Sequence, residues 1–229
     1  MRRILSLLVF FTLSLTTMAQ KKDVTKFLGI PVDGYKSEMK QKLINKGFTY
    51  DARNDNFKGE FNGRDVTIFI GTNNNKVWRI MVCDANYCNE TDIKIRFNNL
   101  CWQFAKNEKK YFPLNGDGKG FVIPDNEDIS YEMSVNNKRY EANYYQAPDT
   151  SLMNSSNLLG IIQEKIEQKY TQEEISNNIN DIIQKETFEL LMERMSKKSV
   201  WFIISETYGR YYITMFYDNE YNHSNGEDL

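Results

Sequence analysis

The chain of 229 residues is poor in the residue types on which many catalytic and metal sites depend, with one histidine and three cysteines. The histidine, His223, lies in a polar C-terminal stretch, so a serine or cysteine nucleophile would have no base held beside it. Three cysteines and one distant histidine also argue against a structural zinc site. Neither GxGxxG nor GxxxxGK[ST] occurs, which removes the usual phosphate-binding loops. We therefore expect no metal, no cofactor and no recognisable catalytic residue.

The chain also lacks an excess of positive charge. Its formal net charge is −2 and its isoelectric point is about 5.6. A domain that binds nucleic acid is usually basic over at least one surface, so we expect no nucleic-acid partner. Hydrophobic residues make up 41% and aromatic residues 14% of the chain, which suits a folded protein rather than a disordered one.

The one long apolar run lies at the N-terminus. Arg2 and Arg3 precede an apolar stretch at 4–15, and a small-residue cleavage pattern ends at Ala19. These features are typical of a secretory signal peptide over 1–19, cleaved before Gln20. The apolar stretch is shorter than the ~20 residues that a transmembrane helix needs, so we expect no membrane span after cleavage. No cysteine lies at the cleavage point, so the sequence predicts a periplasmic or extracellular protein that is not a lipoprotein.

Export would place the cysteines in an oxidising compartment. Cys83 and Cys88 flank a short loop after a predicted strand, and they are the pair that a disulfide would join. Cys101 lies on an apolar stripe of a predicted helix, which favours a buried free thiol.

The hydrophobic pattern predicts an α+β fold in which antiparallel sheet, built from a meander and hairpins, is covered by helices. Helices are expected at about 35–46, 92–107, 158–169 and 172–197, and strands at 57–61, 65–70, 76–83, 129–135, 140–145, 200–205 and 210–217. The order is α-βββ-α-ββ-αα-ββ, and Thr171 with Glu174 forms a capping box before the last helix. The polar loop at 113–128 separates a helix–meander–helix half, 20–112, from a hairpin–helices–hairpin half, 113–229, and we expect the halves to pack as one unit.

Two local patterns carry much of the strand assignment. Trp78, Ile80 and Val82 alternate along the third meander strand, so we place them on one face. Apolar residues alternate with polar ones at 129–135, which predicts the first strand of a second hairpin.

The C-terminal hairpin is rich in aromatic residues. Its candidate ligand-binding residues are Trp201, Tyr208, Tyr211, Tyr212 and Tyr217. Aromatic residues fill buried strands, which favours a core. The alternative is a binding face, because tyrosine and tryptophan offer large, rigid contact areas with a polar group. Tyr208, Tyr217 and the nearby Tyr221 are the tyrosines that we expect to be partly exposed.

Several segments resemble a known family: FLGIPVDG at 27–34, IKIRFNNL at 93–100, EDISYEM at 127–133 and NGEDL at 225–229. With these, the chain resembles uncharacterised exported proteins of Bacteroidetes gut bacteria over most of its mature length. The resemblance implies an envelope or secreted location in a Gram-negative cell. It implies no activity, so it contributes no site residue. The start of the chain is also similar to small helix-plus-sheet modules of bacterial envelope proteins, such as the β-lactamase-inhibitor-like group.

The leading functional hypothesis is an exported, non-catalytic binding or interaction module, whose partner is an unknown protein, small molecule or glycan. A first alternative is a hydrolase that uses two facing carboxylates, at least one of them with a raised pKa. A second alternative is a structural component of an envelope complex, which would show a large exposed apolar patch.

Overall fold

The computed structural model describes residues 22–116, 119–149 and 155–224. The predicted signal peptide at 1–19 and the segment at 225–229 lie outside the described residues. None of the helices in the described ranges is long and apolar enough to cross a lipid bilayer.

Strands and helices are interspersed along the described chain. The strands are β1 (Lys26–Phe27), β2 (Ile30–Pro31), β3 (Thr49–Asp51), β4 (Asn56–Phe61), β5 (Arg64–Asn73), β6 (Lys76–Asp84), β7 (Tyr111–Pro113), β8 (Glu141–Gln146), β9 (Ser199–Thr207) and β10 (Arg210–Asp218). The helices are α1 (Lys36–Asn45), α2 (Glu90–Lys106), α3 (Ile129–Ser134), α4 (Ser155–Lys169) and α5 (Gln172–Ser196). The predicted α+β class is confirmed. The short strands β3 and β7 were not predicted.

One antiparallel sheet of eight strands organises the molecule, in the order β3-β4-β5-β6-β10-β9-β8-β7. The C-terminal hairpin β9–β10 lies at the centre, where β10 pairs with β6 and β9 pairs with β8. Strands from before and after the loop at 113–128 therefore lie in the same sheet. The pair β1–β2 forms a separate small hairpin.

The two faces of the sheet differ in burial because side chains alternate along each strand. The core face carries a register row of buried residues from β5, β6, β10, β9 and β8: Ile68, Val82, Met215, Phe202 and Ala142. Met39 and Leu43 of α1 and Phe97 of α2 pack in the same core cluster. Each such side chain contributes about 1.5–3 kcal/mol on burial, so this face supplies much of the stability.

The opposite side of the sheet, which we call the open face, has mostly half-buried side chains at its centre, beside the buried Thr214 and Asp218 of β10. We define it by Phe69, Arg79, Met81, Cys83, Trp201, Ile203, Tyr212 and Phe216. Phe69, Met81, Phe216 and Trp201 follow one another in register across four strands. The centre of this exposed surface is therefore apolar and aromatic.

The strand predicted at 129–135 is wrong, because these residues form helix α3. The Asp128 side chain accepts a hydrogen bond from Tyr131 N at 2.9 Å and caps the helix. Ile129 is fully buried and Met133 is half-buried, while Tyr131 and Val135 are more than half exposed. The alternating residues thus fit a four-residue period as well as a two-residue one, and tertiary packing selected the helix. The strand β8, predicted to pair with this segment, pairs with β7 and β9 instead.

The predicted face for Trp78 is also wrong. Gly71 pairs with Arg79 and Thr72 pairs with Val77, so Trp78 is an extra residue in a β-bulge of β6. Val77 takes the buried position and Trp78 is half-buried. The bulge shifts the alternation by one residue, which a strict two-residue period does not show.

The helices α4 and α5 form an antiparallel hairpin with a small core of its own, Ile162, Ile166, Ile182 and Leu190. The capping box of Thr171 and Glu174 is confirmed. The dihedral angles of Asn178, φ −138° and ψ 28°, break the helical path of α5 near its start.

Candidate functional site

The structure divides the five predicted aromatic residues among three environments. Tyr211 and Tyr217 point into the core and are each 4% exposed, so the expected exposure of Tyr217 is wrong. Trp201 and Tyr212 lie half-buried on the open face. Tyr208 lies fully exposed in the turn between β9 and β10. Tyr211 and Tyr217 are an even number of residues apart on β10, so both side chains point to the core side of the sheet, whereas Tyr212 points to the open face.

The two core tyrosines have structural partners. The Tyr211 hydroxyl lies 2.5 Å from Ser130 Oγ, and this contact ties α3 to the sheet. The Tyr217 ring lies 4.9 Å from the Phe27 ring, and burial raises the pKa of Tyr217. These residues stabilise the fold and present no surface to a ligand.

A continuous stack of rings crosses the open face. The rings of Trp201 and Phe216 are 4.0 Å apart and nearly parallel, at 13°. The Arg79 guanidinium lies 4.8 Å from the Phe216 ring and 4.2 Å from the Trp78 ring. The His223 ring lies 4.5 Å from Trp78 and ends the series. We call these five residues the aromatic–arginine stack.

One buried carboxylate fixes the position of the stack. Asp218, 2% exposed, accepts two hydrogen bonds from Arg79, from Nε and Nη2, both at 2.6 Å. Trp201 Nε1 donates to the same carboxylate at 2.9 Å. Bidentate arginine–carboxylate pairs are strong and directional, so the Arg79 guanidinium is held beside the rings of Trp78 and Phe216. The charges of Arg79 and Asp218 offset each other.

Sequence reasoning found Trp201 but missed Trp78, Arg79, Phe216 and Asp218. The missing information was the pairing of β6 with β10, which sets Arg79 opposite Asp218. These strands are separated by more than a hundred residues, and local periodicity carries no signal for such a pairing. The bulge at Trp78 then brings this ring beside Arg79.

A second aromatic pair lies farther along the open face. The rings of Tyr212 and Tyr87 are 5.2 Å apart, and Tyr87 is 52% exposed. Arg210 Nη2 donates to the backbone oxygen of Tyr87 at 2.9 Å and holds the loop in place.

All three cysteines are free in the structure, so the proposed disulfide between Cys83 and Cys88 is not formed. Cys83 pairs with Thr214 of β10, and the backbone of Cys88 forms an isolated β-bridge with Tyr211, also on β10. Positions three residues apart on a strand are separated by roughly 10 Å. A disulfide requires Cα atoms within about 7 Å. Cys101 is buried, as predicted, and burial raises its pKa to about 12.

Five described carboxyl groups have a resolved shift in pKa, and none of these shifts is in the upward direction that a general acid needs. Shifts are resolved for Asp51, Asp55, Glu127, Glu174 and Glu186, and each of these pKa values is lowered. Lys36 contributes most to the low pKa of Asp55. The Lys169 ammonium, 2.8 Å from Glu186, lowers the pKa of that buried carboxyl. Within the described ranges, no group of three His, Cys, Asp or Glu side chains could hold a metal ion.

A second unusual surface lies on the helical hairpin α4–α5. A cavity of about 460 Å³ is lined by Leu159, Ile162, Gln163, Ile166, Glu167, Gln172, Ile175, Ile179 and Ile183, and we call it the hairpin groove. Leu159 is 59% exposed, and Ile179 and Ile183 are 39% and 37% exposed. An open groove with six aliphatic side chains is a large apolar surface for so small a pair of helices.

Among the described residues, the open face and the hairpin groove are two surfaces whose apolar and aromatic composition is typical of a binding site. No family model, no curated protein and no solved structure matches the chain. The geometry of the open face and of the hairpin groove is therefore the basis on which a function can be proposed.

Proposed function

We propose that the protein is an exported, non-catalytic binding module, and that its ligand contacts the open face around the aromatic–arginine stack. The observation that carries this proposal is the stack itself, with partly exposed rings on the side of the sheet away from α1 and α2. Side chains that only stabilised the sheet would need no partly exposed tryptophan held in one orientation by a buried carboxylate.

The chemistry of this surface suits a neutral ligand that has both apolar faces and hydroxyl groups, as an oligosaccharide does. Trp201 and Phe216 supply apolar contact area, and their positions are fixed by the stack. Half-buried neutral polar side chains stand beside them, including Asn143 opposite Trp201 and Ser205 opposite Tyr212. Since Arg79 and Asp218 neutralise each other, a highly charged ligand would find no net charge of opposite sign.

The signal-peptide pattern supports export to the periplasm or the cell exterior, and the resemblance to exported envelope proteins is consistent with that location. Both remain predictions. The hydrolase alternative is less well supported, because the resolved carboxyl pKa values are lowered by neighbouring donors and cations. The alternative of a structural envelope component is supported by the exposed apolar side chains of α4 and α5.

The test is a thermal-shift screen of the chain that begins at Gln20, against neutral and acidic oligosaccharides, peptides, bile acids and divalent ions. A ligand at ~100 times its Kd should stabilise the fold by about 2.7 kcal/mol. For a chain of this size, that corresponds to a rise in Tm of roughly 5–11 °C. We expect the shift with a neutral oligosaccharide and not with the other classes.

Variants then locate the binding surface. Trp201→Ala should abolish the shift, while Tyr208→Ala, in the exposed turn of the same hairpin, should keep it. Trp201→Phe retains a ring for the stack but removes the donor to Asp218, and should bind with intermediate affinity. If no oligosaccharide shifts the Tm, or if a folded Trp201→Ala variant binds as well as the original chain, the proposal is wrong.

A further inference from the structure

The helical hairpin α4–α5 carries a surface that shares no residue with the open face. Among the described side chains of α4 and α5, four aliphatic ones are buried in the core of the hairpin, from both helices. The cluster is separate from the core under the sheet, so α4 and α5 pack mainly against each other. Two helices cannot enclose their apolar stripes on their own, and the remaining stripe forms the hairpin groove.

The shape of the groove fits another helix. On α4 it runs from Leu159 to Glu167, which is roughly 12 Å or a little over two helical turns. On α5 it is lined by Ile175, Ile179 and Ile183 at a four-residue spacing, with Ile175 before the break at Asn178 and the other two after it. Amphipathic helices bind in such grooves through apolar residues at i, i+3 or i+4, and i+7. A third helix placed here would complete a three-helix bundle.

The charge of the hairpin indicates the kind of helix. Together, α4 and α5 carry eight acidic and four basic side chains, a formal net charge of −4. Two of the basic side chains, Lys165 and Lys169, are already paired with glutamates of α5. Glu167 lines the groove, and Glu164 is exposed one turn before it on the same helix. A basic helix would meet these carboxylates, whereas a second copy of this hairpin would bring −4 against −4.

We infer that the hairpin groove binds a basic amphipathic helix of a partner protein. The apolar side of that helix covers Leu159, Ile179 and Ile183, and its lysines or arginines face Glu164 and Glu167. The kink at Asn178 turns the first segment of α5 relative to the rest and helps to shape the end of the groove.

The probe is a designed helical peptide of about 18 residues, with leucines at i, i+3, i+4 and i+7 and lysines on the other side. An otherwise identical peptide with glutamate in place of lysine is the control. Binding to the chain that begins at Gln20 is measured by fluorescence anisotropy, and helix formation in the peptide by circular dichroism. We expect the basic peptide to bind at least about tenfold more tightly than the acidic one, and its affinity to fall with added salt.

Variants distinguish the groove from other apolar surfaces of α5. Ile179→Ser with Ile183→Ser should weaken binding about tenfold or more. Phe188→Ser with Met192→Ser is the matched control, since these side chains are 64% and 40% exposed but do not line the groove, and it should bind normally. Because all four residues are partly exposed, we expect the variants to fold.

Three results would overturn the inference. The first is equal binding of the basic and acidic peptides, which would indicate nonspecific apolar adhesion. The second is concentration-dependent dimerisation that Ile179→Ser with Ile183→Ser abolishes, which would identify a second copy as the occupant. The third is binding of a bile acid or detergent that the same double variant abolishes, while neither peptide binds. None of these results would change a Tm shift that an oligosaccharide produces and that depends on Trp201, so the two proposals can fail independently.

Discussion

Lys198 and Asp23 form a buried ion pair that provides a stringent test of the packing. Lys198 Nζ donates to Asp23 Oδ1 and to the Ala147 backbone oxygen, both at 2.7 Å. The two charged side chains are 2% and 6% exposed. The pair joins the start of the described chain to the loop after β8 and to the junction of α5 and β9. Burial lowers the pKa of Lys198 even though the Asp23 carboxylate acts to raise it, so desolvation has the larger effect on this ammonium group.

Lys198→Met should therefore be far more harmful than replacement of both partners. The single change leaves the Asp23 carboxylate buried, with the Asp149 backbone N–H, at 2.7 Å, as its remaining described donor. Breaking a buried pair in this way costs about 3–5 kcal/mol. The Tm should fall by roughly 6–20 °C for a chain of this size.

The double variant Asp23→Asn with Lys198→Met removes both charges and keeps an acceptor for Asp149 N. It should recover more than half of the lost stability. Urea unfolding at pH 7, followed by tryptophan fluorescence, measures both variants, and an unchanged m-value would show that the transition is comparable. The reasoning is refuted if Lys198→Met unfolds within about 1 kcal/mol of the original chain, or if the double variant is no more stable than the single one.

Three further outcomes follow from the described contacts. Cys101 should be the last of the three cysteines to react with a thiol reagent at neutral pH, because burial raises its pKa to about 12. Mass spectrometry of partly labelled protein would show the order of labelling, and early labelling of Cys101 would contradict its burial. The low pKa of Glu186 stabilises the hairpin above pH 4.5, and this contribution is lost as the pH falls through the folded-state pKa. Acid unfolding of Glu186→Gln, followed by circular dichroism, should therefore be less steep below pH 4.5 than that of the original chain, and an identical profile would count against the pair. Gly59→Ala would place Cβ 2.6 Å from the buried Phe48 ring and should destabilise the fold by about 1–3 kcal/mol. Gly160→Ala, with no atom near the new methyl group, should stabilise α4 by about 0.5–1 kcal/mol. Urea titration measures both variants, and equal effects on the free energy of unfolding would refute this contrast.

The elements that could be predicted are those whose signals are local. The meander strands expected at 57–61, 65–70 and 76–83 correspond to β4, β5 and β6, and the capping box at Thr171 marked the start of α5. The burial of Cys101 followed from its position on the stripe of α2. In each case, the residues that decide the structure lie within one or two turns of chain, so periodicity and capping were sufficient.

The candidate site depended on contacts that are distant in sequence. Trp201 was found because it belongs to an aromatic strand, but its partners Arg79 and Asp218 come from two different strands. Tyr217 looked exposed near a chain end, yet the central position of β10 buries it against Phe27. The order of strands in the sheet decides these contacts, and no local pattern specifies that order.

The fold class and most of the helix and strand boundaries follow from the sequence alone, because hydrophobic periodicity acts over short distances. The sequence also favoured export and a chain without a histidine-based active site. Long-range contacts, which no local pattern encodes, make the segment at 129–135 a helix, place Trp78 beside Arg79 through a bulge, and set β10 between β6 and β9. Each of these outcomes depends on which distant surfaces a segment can bury. Both proposed binding surfaces, the open face and the hairpin groove, arise from the same cause: they are apolar areas that remain once the central sheet and the two-helix hairpin have packed.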